Sequence, residues 1–266
     1  YNTIFVLDKK NSSIVLGFFL KSKNKIFTVS KKFKHNFLKI FYNNVFLDND
    51  FVNDSTQVLL KKYCNCIGYT LSEVDTLFFD KDFFKKDYNH TDVLNLDNLD
   101  YITVHYDEKW EIESYKESYS KGDTFTNIGA TYDNFKLFLE KLSNKSNKQI
   151  IITTGLIKTN IVNDVIKNSK KLSENIYALN LDNKTIYLIV NDNFFSTSYL
   201  ISKSKTLITC HGAFTHIAFN YRIKIIDIIE ENKHQHYNRI TNHMTNYKSF
   251  FRSNFIDLSK KIINYI

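Results

Sequence analysis

The stretch Thr206-Leu-Ile-Thr-Cys-His-Gly-Ala-Phe-Thr-His-Ile-Ala-Phe-Asn220 decides how the chain is read. A short β-branched run stops at a glycine. A small residue and a hydroxyl follow, and then helix-forming residues. A strand feeding a helix through Gly212 and Ala213 leaves unpaired backbone N–H groups at the positive end of a helix, where phosphate binds readily. Thr215 adds a hydroxyl, and His216, in the first turn, is either a donor to a phosphate or sugar oxygen or a histidine packed in the core. Two other chemistries fit less well. Five residues of helix rotate two side chains about 140° apart, so His211 and His216 do not have the i,i+4 spacing of a helical metal pair. Cys210 and His211, adjacent on an extended strand, point to opposite faces and make a poor nucleophile pair. No metal site is expected.

The surrounding sequence repeats the same alternation of strand and helix. Strand patterns occupy 3–8, 25–30, 101–105, 149–154, 185–190, 206–209 and 224–229. Helical patterns lie between them, including one over 54–69 with Asp54 as its cap and one after Thr131 or Asp133 with Tyr132, Phe135, Leu139 and Leu142 on one stripe. A last helix is expected from about Ser253 to Ile266. Strands that are apolar throughout and separated by helices imply a parallel sheet covered on both faces. The polar stretch 80–100 reads as a linker. The expected architecture is therefore α/β with two Rossmann-like lobes, 1–96 and 97–266. In such sheets ligands bind beyond the carboxyl ends of the strands, just after Asp8, His105, Thr154, Val190 and Thr209.

Two of those ends carry further chemistry. His105-Tyr-Asp-Glu-Lys-Trp110 places the Lys109 ammonium just past a strand, where it can sit over a phosphate, beside the only Trp. Read alone, the same segment is a surface loop anchored by a buried Trp110. Thr154-Gly155 ends another strand, and Gly155 permits either close approach of a ligand or a tight turn into the next helix.

Composition limits the partners. The chain has 266 residues, 43% hydrophobic and 24% charged, which is enough for a large core. It has no proline, and only Arg222, Arg239 and Arg252 among its 36 basic residues, a pattern that fits AT-rich coding. The net charge of +8 is then a product of scattered lysines, so nucleic acid is not an expected partner, while a weak attraction to an anionic membrane surface is. Cys64, Cys66 and Cys210 are too few and too scattered for a disulfide framework and suit a reducing cytoplasm. The longest apolar run, Ile14–Leu20, is too short to span a bilayer. The chain opens directly on a strand without an initiator Met, as a trimmed piece of a longer protein would.

Taken together, these strand ends resemble the heptosyltransferase-like glycosyltransferases of family 9, which have the two-lobed GT-B fold. The likeness covers most of the chain. His105, Lys109 and Trp110 match the family's Lys-x-Trp loop, with one residue fewer. Tyr1–Asp8 matches its first-lobe strand, and the 211–218 segment matches its signature Asp-(Thr/Ser)-Gly-x-x-His-x-(Ala/Thr)-Ala. Aligned on His216, that signature puts His211 at the acid, Gly212 at the hydroxyl residue and Ala213 at the glycine. The resemblance implies an inverting, metal-independent transferase with no cofactor. It would move a sugar from a nucleotide-diphospho-sugar to a saccharide or glycolipid acceptor, in lipopolysaccharide or surface polysaccharide assembly. It assigns donor binding to His105, Lys109, Thr154, Gly155, His211, Gly212, Ala213, Thr215 and His216. The family's catalytic base lies in a first βα unit upstream of Tyr1, so none is assigned here. Its ribose-binding acid falls near Thr159 and Asn160, neither of them acidic. A non-catalytic nucleotide- or sugar-binding module is the rival reading. Either would be cytoplasmic, with peripheral contact at the inner membrane surface.

Overall fold

Strand β4 (Tyr101–Tyr106) is buried at every position, and its neighbours explain why. In the computed structural model, which describes residues 2–7, 9–48, 56–70, 84–88, 90, 93–111, 126–181 and 184–266, β4 lies inside an eight-stranded sheet. The other strands are β5 (Gln149–Thr154), β6 (Lys170–Lys171), β7 (Ile176–Leu181), β8 (Lys184–Ile189), β9 (Thr206–Cys210), β10 (Lys224–Ile229) and β11 (Tyr247–Phe251). Their order is β11-β10-β9-β4-β5-β8-β7-β6. The run from β11 to β8 is parallel. From β4 the chain steps to β5, passes to the far edge at β6, returns inwards through β7 to β8 beside β5, then crosses back to β9 and steps outwards the other way. The order therefore reverses between β4 and β9, and a parallel sheet opens its ligand crevice at that point.

Two cores cover the faces. Ile102, Val104 and Tyr106 point to one side, where they meet α4 (Tyr132–Ser146), α5 (Asn160–Lys167) and α9 (Phe255–Tyr265). Tyr101 points to the other, among residues of α6 (Phe194–Lys203) and α7 (Ala213–Asn220). Thr131 caps α4 by accepting from the Asn134 N–H, and Phe135, Leu139 and Leu142 are buried along the expected stripe. Thr159 caps α5 in the same way, from the Val162 N–H.

The structure differs from the sequence reading in three places. The sheet is mixed, because β7 and β8 pair antiparallel with Leu181 opposite Lys184, and β6 extends that edge. β7 and β8 lie only two residues apart in the chain, too few for the crossover that a parallel pair needs, so they pair as antiparallel neighbours. Next, β11 is an edge strand, only partly buried, so Tyr247-Lys-Ser-Phe-Phe251 lacks the apolar pattern of its neighbours. Finally, described residues within 80–100 join the core: Phe84, Tyr88, Leu94 and Leu96 are buried with Tyr199 and Leu200 of α6. Two aromatics and two leucines at wide spacing anchor these residues in a stretch whose composition is polar.

The chain divides into two units, Tyr1–Thr76 with Asn238–His243, and Leu77–Tyr237 with Met244–Ile266. The described residues of the smaller unit form three parallel strands, β1 (Thr3–Val6), β2 (Asn24–Val29) and β3 (Val45–Leu47), in sequence order. Helices α1 (Asn11–Phe19), α2 (Lys32–Lys39) and α3 (Thr56–Asn65) accompany them. Val6, Ile14, Phe27, Val29, Leu38 and Val45 form its core. Gly17 lies against Val6 and Phe27 with no room for a Cβ, which lets α1 sit close on the strands. Asp8 and Asp54 lie outside the described residues. The remaining helix, α8 (His234–Thr241), follows β10.

Candidate functional site

The loops after β4 and β9 meet at the switch point. After β4, Asp107 caps a single helical turn, Glu108–Trp110, by accepting from the Lys109 N–H at 3.2 Å. Trp110 is fully buried, stacks on Tyr106 with ring centroids 5.1 Å apart, and donates its indole N–H to the His105 carbonyl at 2.9 Å. This turn aims Lys109 across the sheet. Its Nζ lies 3.1 Å from Asp107 Oδ2 and donates to the His211 carbonyl at 3.0 Å, which ties the end of β4 to the end of β9. Gly212, which precedes α7, is where the ammonium passes: a Cβ there would lie 2.9 Å from Nζ. The N–H groups of Ala213 and Phe214, in the first turn of α7, have no partner within the helix.

Electrostatics hold this arrangement charged on one side and neutral on the other. Burial works against the Lys109 ammonium, but the Asp107 carboxylate outweighs it and raises the pKa of Lys109. Burial raises the pKa of Asp107, and Lys109 pulls it back. His105 is buried with Nδ1 3.0 Å from Thr153 Oγ1, and its ring meets Phe214 edge-on at 4.6 Å. Burial, with Lys109 nearby, lowers its pKa to about 3, so it is a neutral imidazole at ordinary pH. Burial likewise pushes the Cys210 thiol far up, which leaves it un-ionised.

His211 has a partner that the sequence hid. Its Nδ1 lies 2.6 Å from Oδ2 of Asp227, which is fully buried in β10. The same carboxylate accepts from Tyr247 Oη at 2.8 Å and from Thr215 Oγ1 at 3.3 Å. Thr215 is thus turned inward, accepting in turn from the Gly212 N–H at 3.3 Å. His216 is exposed rather than buried in the core, and its ring lies 5.5 Å from that of His211, because His211 precedes the helix. Tyr237 packs on His211 at 4.6 Å. Among the described residues, no three His, Cys, Asp or Glu side chains group as metal ligands.

Two hollows flank Lys109. One, of about 320 Å³, runs from His105 and Gly155 to Gly212 and Ala213, with Leu156, Ile157, Phe194 and Phe214 as apolar walls. Phe194 and Phe214 stack at 5.2 Å. The other, of about 240 Å³, is ringed by Lys109, His211, Lys233, His236, Tyr237 and Arg252. Arg252 is neutralised by Glu230 at 2.9 Å, both buried, and donates to the Thr126 carbonyl at 3.1 Å. Of the sequence-derived residues, His105, Lys109, Gly155, His211, Gly212 and Ala213 therefore border one crevice. Thr154 ends β5 half-buried, and at Gly155 the space a side chain would need is taken by Asp107 and Glu108. The N-terminus of α5, near which the family's ribose acid would fall, is already occupied: Glu111 accepts from the Asn160 and Ile161 N–H groups at 2.8 and 2.9 Å.

Asp107, Asp227, Glu230 and Arg252 were missed in the sequence. One signal was present for Asp227, a lone acid inside Lys224-Ile-Ile-Asp-Ile-Ile229, since a charge buried among apolar neighbours needs partners.

No protein-family model matches this chain, and no curated protein matches it. Among solved structures it is similar to the glycosyl transferase family 9 protein from Veillonella parvula. The TM-score is 0.56 at 9% identity, over 98% of this chain and 65% of that one. A weaker similarity, TM-score 0.30 at 16% identity over 70% of this chain and 39% of that one, is to the wall teichoic acid polymerase TagF and is too slight to bear on the fold. The chain thus spans about two thirds of the length of the first structure. What the parallel three-stranded sheet, the largely parallel eight-stranded one with its strand order, and this likeness establish is an α/β, GT-B-like fold.

Proposed function

We propose that the chain is the donor-binding part of a glycosyltransferase acting on a nucleotide-diphospho-sugar, of the family 9 type. The observation that carries the reading is Lys109, an ammonium held at the β4–β9 switch point beside Gly212 and the first turn of α7. A diphosphate there would meet a cation and unpaired N–H groups together. The apolar hollow beside Phe194 and Phe214 suits a nucleoside base, and the cationic hollow suits phosphate and sugar oxygens. As the bond to the anomeric carbon breaks, negative charge builds on the leaving diphosphate, and Lys109 with the α7 N-terminus would stabilise it without a metal. An acceptor hydroxyl, on a saccharide or glycolipid, would attack from the opposite face with inversion. Its base is not assigned to any residue of this chain. Lipopolysaccharide or surface polysaccharide assembly, in the cytoplasm, is the setting this reading implies.

One observation favours a second reading, a module that binds such ligands without turning them over. Lys109 is already partnered by Asp107, so part of its charge is spent before a donor arrives. Thermal shifts with ADP-, GDP-, UDP- and CMP-sugars, each with and without EDTA, test both. A ligand at a hundred times its Kd stabilises by about 2.7 kcal/mol, several degrees for a unit of this size. A shift with one nucleotide that survives EDTA supports the site, and release of free nucleotide with an acceptor present separates transferase from module. No shift with any of the four rejects both.

A further inference from the structure

We infer that the smaller unit carries a docking face for an anionic lipid bilayer, formed by α1, α2 and the turn after α2. This face is independent of the donor crevice, which lies in the other unit. Between Lys9 and Leu47 the chain has nine lysines and no Asp or Glu, where the chain average of 28 acids in 266 residues would place about four. Coding bias towards lysine does not remove acids so selectively. On this basic surface stand large apolar side chains: Phe19 is 75% exposed, Phe33 81% and Ile40 75%, with Val15, Phe37 and Phe41 at least half exposed. They are contiguous. Phe33 and Phe37 are one turn apart on α2, Phe37 and Phe41 have centroids 5.6 Å apart, Phe41 and Phe18 5.8 Å, and Phe18 and Phe19 5.5 Å. Between the helices lies an almost wholly apolar groove of about 400 Å³.

Rings that protrude from short helices among exposed Lys21, Lys23, Lys31, Lys32 and Lys39 match what an interfacial element needs: apolar groups for the acyl boundary and ammonium groups for the headgroups. No helix among the described residues is long and apolar enough to cross a membrane, so the face would lie on the bilayer rather than in it. A second copy of the chain fits poorly, because a two-fold contact would bring the same acid-free basic surface against itself.

Vesicle flotation of the 266-residue protein tests this. Binding should be strong to phosphatidylcholine vesicles containing phosphatidylglycerol, weak to phosphatidylcholine alone, and reduced by salt. Lys31→Glu and Lys32→Glu should each lower partitioning to the anionic vesicles about fivefold or more. Phe33→Ser with Phe37→Ser should lower it on both vesicle types at an unchanged melting temperature, since both side chains are exposed. Binding that is indifferent to anionic lipid, or that these variants leave intact, overturns the inference. So does a concentration-dependent dimer, seen by sedimentation, that the Phe variants abolish.

Discussion

Replacing Lys109 by Ala should destabilise the larger unit, and the loss should depend on pH in a defined direction. The substitution leaves the Asp107 carboxylate buried, still accepting from the backbone N–H of residue 109 but without its cation. Removing one partner of a fully buried pair costs about 3–5 kcal/mol; because Lys109 keeps some contact with solvent and water can enter the vacated volume, about 2 kcal/mol is expected. Burial already holds the pKa of Asp107 above its ordinary value, and Lys109 is what pulls it back, so the variant's value lies higher still. Between the unfolded value near 4 and that raised folded value, the native state binds more protons than the unfolded chain. Stability therefore falls as pH rises through the window. The deficit should shrink towards pH 3, below both values, where Asp107 is protonated in both states, and be full at pH 8. Urea unfolding followed by fluorescence of Trp110, the only Trp and part of the larger unit, is the assay. At pH 8 the midpoint should drop by about 1 M. Adding Asp107→Asn should recover most of that stability while leaving donor affinity low, which separates the structural role of the pair from the binding role of Lys109. The reasoning is refuted if the single variant unfolds at the wild-type midpoint at pH 8, or if its deficit grows towards pH 4.

Three further outcomes are expected. His105 has a folded pKa depressed to about 3 against an ordinary value of 6.5, so its contribution is complete above pH 6.5 and is lost as pH falls towards 3, by up to about 1.4 kcal/mol per pH unit; His105→Asn should flatten the acid limb in thermal scans from pH 7 to 4. Gly212 has φ −175°, an extended backbone open to any residue, so Gly212→Ala should change stability by less than about 1 kcal/mol yet displace the Lys109 ammonium and weaken nucleoside diphosphate binding about tenfold by calorimetry. Asp227→Asn weakens the charge-assisted bonds to His211, Thr215 and Tyr247, and should cost about 2–3 kcal/mol by denaturant titration; wild-type stability would mean that this carboxylate does not organise the β9–β10 end.

The α/β class, most parallel strands, and the cap at Thr131 were legible in the sequence because each is a local matter: side-chain period, β-branching, or a hydroxyl one turn before an apolar face. The strand that starts at Thr206 and the helix that opens within the segment after it were visible for the same reason, and with them the residues that border the crevice. Three features were not visible. The edge strand Tyr247–Phe251 packs on too little to show a period, and the β7–β8 pairing follows from the two-residue spacing between the strands rather than from composition. The partner of His211 is sixteen residues away in an adjacent strand.

Local propensity and periodicity, which act over a few residues, mark most of the strands and helices and place Gly212 and Lys109 each after a strand. That those two strands are neighbours at a switch in strand order, that Lys109 reaches over Gly212 to the His211 carbonyl, and that Asp227 turns His211 and Thr215 inward are matters of the folded chain. These are contacts between residues far apart in the chain, and they exist because a parallel sheet brings the carboxyl ends of non-consecutive strands together and buries charges that must then find partners.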